Sequence, residues 1–131
     1  MEQPKHTYLV ISRGQWDAQA SREEVQQAID RFYGWYEGHL ASGRMLPGSR
    51  LAPTGKVVSK SLFTDGPFTE TKEIVGGYWF IVATSLDEAA ELAAQNPCLA
   101  YGLQLELRPL EGERARAVDI TNETPPQWRS A

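Results

Sequence analysis

The run Gly77-Tyr78-Trp79-Phe80-Ile81-Val82 constrains the fold more than any other stretch of the chain. Successive side chains of a strand point to opposite faces, so a strand that is bulky and apolar at every position has to be covered on both sides. A chain of 131 residues, 41% of them hydrophobic, has the material for one domain with a real core. Its single cysteine, Cys98, cannot form an internal disulfide, so packing has to hold that core together.

Around this strand the other elements follow from periodicity and punctuation. Thr7-Tyr8-Leu9-Val10-Ile11-Ser12 is β-branched and aromatic, ends at Arg13-Gly14, and reads as a strand. Ser21 followed by Glu24 has the spacing of a capping box and predicts a helix start. That helix carries an apolar stripe of Val25, Ile29, Phe32, Tyr36 and Leu40 and stops at Ser42-Gly43. Gly34 and Gly38 lie inside it as tolerated glycines. Met45 to Pro53, with two prolines and a glycine, reads as an extended, turn-rich connection. Lys56 to Phe63 reads as a strand and Thr64 to Glu73 as a charged loop, ahead of the apolar strand from Ile74 to Ala83. Ser85 and Glu88 open a second, alanine-rich helix that ends at Asn96-Pro97. Tyr101, Leu103, Leu105 and Leu107 then alternate with polar residues as a half-buried strand.

The order β-α-β-β-α-β is that of a ferredoxin-like α+β sandwich, two helices on one face of a four-stranded antiparallel sheet. Two helices cover only one face. The other has to be covered by a second copy of the chain, and a two-fold homodimer is the simplest closed arrangement. Tyr78, Phe80 and Val82 share one face and Trp79, Ile81 and Ala83 the other, so one set meets the helices and the other lines a cleft between subunits.

At the charged loop the chain resembles a known family. Phe63-Thr64-Asp65-Gly66-Pro67-Phe68-Thr69-Glu70-Thr71-Lys72-Glu73, followed by Gly76-Gly77-Tyr78, is similar to the signature of the YCII-related family, in its DGPF-domain branch. Leu51-Ala52-Pro53, Ser85-Leu86-Asp87-Glu88-Ala89 and Glu106-Leu107-Arg108-Pro109 agree with it, and the resemblance spans residues 5–110. It implies a dimeric α+β barrel of ferredoxin-like subunits in the bacterial cytoplasm, mostly of unknown function. For some relatives it implies association with sigma-factor-like transcription regulators. Enzymes of the wider group are similar in using a His and an Asp as an acid/base pair. The position of that histidine falls near Phe32 here, which leaves His39, seven residues on and close to the same helix face, as its substitute.

Asp65 precedes Gly66-Pro67, where a carboxylate accepts backbone N–H groups and fixes a turn, and where it is also placed to act as a general base. Glu70 and Lys72 lie two apart, on one side of an extended segment, and are placed to pair with each other or to hold a polar ligand group. Tyr78 and Trp79 offer an apolar wall. No metal or other cofactor is expected, because two histidines and one cysteine lack ligand spacing and Gly76-Gly77 opens a strand rather than a helix. A formal charge of −4, with 13 basic against 17 acidic residues and no basic cluster, argues against direct nucleic-acid binding. No apolar run reaches the roughly 18 residues of a membrane span, and no secretory signal opens the chain, so a cytoplasmic protein is expected.

The segment from Glu111 to Ala131 lies outside the family-like domain of residues 1–110. Arg114 to Ile120 alternates as an extra edge strand would, and Pro125-Pro126 with Trp128 suggests an arm that docks. Two functions fit these features. One is a non-catalytic dimeric module that binds a small molecule or a regulatory partner in the intersubunit cleft. The other is a lyase- or isomerase-like enzyme using Asp65 and His39.

Overall fold

The computed structural model describes residues 3–60 and 74–129, together with the backbone of 63–66. Strand β1 (His6–Arg13) leads into α1 (Arg22–Ser42), then β2 (Met45–Arg50), β3 (Gly55–Val58), β4 (Phe63–Gly66), β5 (Val75–Ala83), α2 (Leu86–Ala93) and β6 (Gln104–Pro109). Four strands form one antiparallel sheet in the order β2-β5-β1-β6, while β3 and β4 form a separate hairpin. Central strands β1 and β5 pair along their length, from His6 opposite Ala83 to Ser12 opposite Gly77. This is the ferredoxin-like α+β arrangement, with the hairpin inserted between its second and third strands.

Three elements differ from the sequence reading. The second sheet strand is Met45–Arg50, not the segment from Lys56 to Phe63. Pro47 and Gly48 masked it, since both are poor strand residues, and the pairing tolerates them through a register shift between Leu46 and Ser49. Lys56 to Phe63 is not one strand; residues 55–58 pair antiparallel with 63–66, so Thr64 and Asp65 belong to β4 rather than to a loop. Arg114 to Ile120 adds no strand to the sheet; its backbone is irregular, and Arg116 pairs with Asp119 across a turn.

The helices form where local chemistry starts and stops them. Ser21 Oγ accepts from the Glu24 N–H while the Glu24 carboxylate accepts from the Ser21 N–H, and Gly43 ends α1 in the left-handed region at φ 80°. At α2 the Ser85 hydroxyl accepts from the Glu88 N–H, but the Glu88 carboxylate reaches back to the N–H and hydroxyl of Thr84 instead. Between α2 and β6, a 3-10 turn over Pro97–Tyr101 starts from Asn96, whose Oδ1 accepts from the Cys98 N–H at 2.8 Å.

The core lies between helices and sheet. Tyr8 and Val10 of β1, Met45 of β2, and Trp79, Ile81 and Ala83 of β5 meet Ala89 and Ala93 of α2. The small alanines let α2 approach closely. Strand alternation therefore turns Trp79 toward the helices and Tyr78, Phe80 and Val82 to the helix-free face.

Candidate functional site

Helix α1 does not close down on the sheet along its whole length. Beneath Ile29, Phe32, Tyr33 and Tyr36 a cleft of about 500 Å³ opens, floored by Ser12, Gly77 and Trp79 and bounded by Gly48 to Arg50, Asn96 and Cys98. Close-packed interiors leave few voids larger than a water molecule, and ligand pockets commonly measure about 300 to 1,000 Å³. The predicted stripe of α1 accordingly stays half-buried, and Ala28 alone is fully buried on this helix.

The walls are aromatic. Phe32 stacks on Tyr36 at a centroid distance of 5.4 Å, and both stand edge-on or tilted to Trp79, at 5.3 and 6.0 Å. The Trp79 indole Nε1 is buried without a hydrogen-bond partner among the described residues, which costs about 1 to 3 kcal/mol in an apolar setting. Tyr36 is held in place because its hydroxyl accepts from the Gly48 N–H at 3.3 Å.

Arg50 reaches the cleft through the irregularity in β2. Leu46 opposes Phe80 on the helix-free face, and Ser49 opposes Tyr78 on that same face, so three residues of β2 span two of β5. The extra residue inverts the side-chain parity, and Arg50, opposite Gly77, points to the helix side. Glycine is required for this geometry. A Cβ on Gly48 would lie 1.9 Å from the Tyr78 carbonyl oxygen, and one on Gly77 would lie 2.8 Å from that of Ser49. The Arg50 guanidinium rests over Gly76, whose added Cβ would meet Nη1 at 3.1 Å.

Of the residues singled out in the sequence, Trp79 walls the cleft with its ring, while Tyr78 only borders it, since strand alternation turns its side chain to the helix-free face. His39 does not: it sits near the C-terminus of α1, where its Nδ1 accepts from Arg44 Nε at 2.9 Å and its ring meets Trp35. Burial, helped by the neighbouring Arg44 charge, holds the His39 pKa below its usual value, so the imidazole stays neutral rather than serving as a C-terminal cation. Phe32, the position carried over from the family histidine, lines the cleft as an apolar wall. Asp65 belongs to β4, opposite Lys56, but its side chain lies outside the described residues, as do Glu70 and Lys72. Burial pushes the Cys98 thiol upward, opposed in part by Arg31 and Arg50, so it is a protonated lining group rather than a nucleophile. Among the described residues the lining holds neither a carboxylate nor an imidazole, and no cluster of His, Cys, Asp or Glu is arranged to hold a metal.

Ser12, Trp16, Tyr33, Arg50 and Asn96 were not singled out from sequence. Arg50 could have been found only by reading Pro47-Gly48 as an irregularity within a strand instead of as a turn. The others reach the cleft through tertiary packing, which leaves no local signal.

Known proteins resemble the chain in sequence and in fold. A model of the YCII-related domain matches residues 7–111. An uncharacterized protein of Rhizobium meliloti (strain 1021) is 31% identical over 100 residues, covering 69% of this chain and 78% of the relative. Among solved structures, 5-chloro-2-hydroxyhydroquinone dehydrochlorinase from Burkholderia phenoliruptrix AC1100, in complex with 2,5-dihydroxybenzoquinone, matches with 17% identity and a TM-score of 0.39, covering 76% of this chain and 90% of that one. A superposition this loose carries no inference about chemistry.

Proposed function

The chain belongs to the YCII-related family, and from that premise we propose that it is a homodimeric protein that binds a small aromatic molecule in the cleft beneath α1. The observation that carries the reading is the cleft itself: about 500 Å³ of space walled by Phe32, Tyr36 and Trp79, where a core would ordinarily be filled. A planar ring stacks favourably in such a setting. The site is built from one chain on the helix side of the sheet, in contrast to the intersubunit cleft expected from sequence. Binding is favoured over acid/base catalysis because the described lining offers no general base. The sequence Asp65-Gly66-Pro67-Phe68 supports reading the protein as one of the DGPF branch of the family.

The opposite face of the sheet supports the homodimer reading. Leu9, Ile11, Leu46, Tyr78, Phe80 and Val82 form an apolar surface there, bordered by Arg13, Glu106 and Arg108. A second copy presenting the same surface covers it in a self-complementary way.

Thermal denaturation in the presence of one- and two-ring aromatic compounds tests the binding reading. A ligand at about 100 times its dissociation constant adds roughly 2.7 kcal/mol and raises the melting temperature by several degrees. Ser12 is buried on β1 and faces the cleft, so Ser12→Leu fills the space with an apolar side chain. That variant is expected to fold and to lose the ligand-dependent shift. Shifts of equal size in both proteins would place the ligand elsewhere.

A further inference from the structure

We infer that the molecule bound in the cleft is an aromatic acid, a planar ring bearing a carboxylate, whose charge is met by Arg50 with help from the Asn96 amide. This rests on the small-molecule reading above and adds the chemical class.

Arg50 is the cleft's only charged lining residue among those described. Its guanidinium makes no ion pair and no side-chain hydrogen bond with any described residue. Every other arginine that the strand faces bring near a carboxylate is paired: Arg13 and Arg108 both bond Glu106 on the opposite side of the sheet. The irregularity in β2 that turns Arg50 inward is demanding, since it requires the Gly48 and Gly77 backbones to pass too close for any side chain. An arginine delivered to an aromatic-walled cleft and left without an acid among the described residues is suited to a planar oxyanion, which its fork binds in two-point fashion. Its influence extends inside, because the Arg50 charge acts on the Cys98 thiol on the same lining.

Asn96 supplies the second observation. It is 6% exposed and lines the cleft. Its Oδ1 is committed to the Cys98 N–H, which fixes the amide orientation and leaves Nδ2 without a partner among the described residues. Unlike the Trp79 Nε1, Asn96 Nδ2 keeps some accessible surface, and with its Oδ1 committed it is available to donate to a carboxylate oxygen. The lining thus offers a cation, a neutral donor and aromatic faces, and no acidic group among its described members. That donor-rich set disfavours a cationic ligand.

The test compares 2-naphthoate with its neutral counterpart 2-naphthamide, and benzoate with benzamide, by isothermal titration calorimetry on the full chain. In the wild-type protein the acids are expected to bind more tightly than the amides. Because Arg50 is exposed where the cleft meets solvent, added NaCl is expected to weaken the acids and spare the amides. Arg50→Gln is expected to weaken the acids by about tenfold or more while leaving the amides unchanged, and Arg50→Lys to restore part of the loss. Unchanged melting temperatures establish that the variants fold. Asn96→Asp, which keeps the acceptor for Cys98 but places an acid against the ligand, is expected to weaken the acids further than the amides. If acids and amides bind equally in wild type and in Arg50→Gln, the charge inference is overturned and the cleft reading stands. If none of the four binds, both fall.

Discussion

At Gly48 a methyl group would lie 1.9 Å from a backbone carbonyl oxygen, whereas at Gly34, inside α1, nothing stands within 4 Å. Opposite outcomes follow. Gly48→Ala is expected to destabilise the fold by more than about 2 kcal/mol, since the obstacle is backbone and the strand pairing has to shift. Gly34→Ala is expected to stabilise it by about 0.5 to 1 kcal/mol through helix propensity. Urea denaturation midpoints compare the two directly. On the helix-free face, hydrogen bonding to Arg13, and next to Arg108, holds the Glu106 carboxyl below its ordinary 4.5. A depressed folded-state pKa contributes stability that is present above the unfolded value and is lost as pH falls through the folded one. Arg13→Gln is therefore expected to cost up to about 1 kcal/mol at neutral pH, a gap that closes as pH falls well below 4.5, as denaturation at each pH will show. Residue-level chemistry was only partly visible beforehand. His39 drew notice for its type, yet it is spent on Arg44, while Arg50 matters through its direction, which a list of residue types does not encode.

Elements were legible where their signals are local. The Ser21–Glu24 capping box and the Gly43 stop mark both ends of α1, because each depends on contacts within three or four residues. Ser21→Ala is expected to cost about 1 kcal/mol, read from the thermal midpoint, since it orphans the Glu24 N–H. Strand β5 was equally plain from its unbroken apolar run. Strand β2 was hidden because its Pro47 and Gly48 read as punctuation, and only pairing with β5 makes a strand of them. Lys56 to Phe63 failed for the converse reason: its β-branched residues suit a strand, but the chain reverses within it and pairs with itself. Periodicity reports which residues suit an extended backbone. It does not report which partner they find.

For the whole molecule, the two faces of the sheet divide the work. The helix side is filled by core near α2 and opened into a cleft near α1; the other side is an apolar surface that the described residues leave uncovered. Sedimentation at micromolar concentration is expected to give twice the 14.6 kDa chain mass. Phe80→Glu, at the middle of that face, is expected to yield a folded monomer; a wild-type monomer would remove the argument for self-association. Trp128 packs beside Thr121 and Thr124 of the C-terminal segment but stays 64% exposed among the described residues.

The central claim is that the cleft beneath α1 holds an aromatic ligand, and the four indole N–H signals of ¹⁵N-labelled protein test it most directly. Trp16 and Trp79 line the cleft, while Trp35 donates to Gln95 outside it and Trp128 lies in the C-terminal segment. Titration with 2-naphthoate is expected to move the Trp16 and Trp79 signals in saturable fashion and to leave Trp35 and Trp128 near their starting positions. Saturable movement of Trp128 alone, with Trp16 and Trp79 unchanged, would contradict the account.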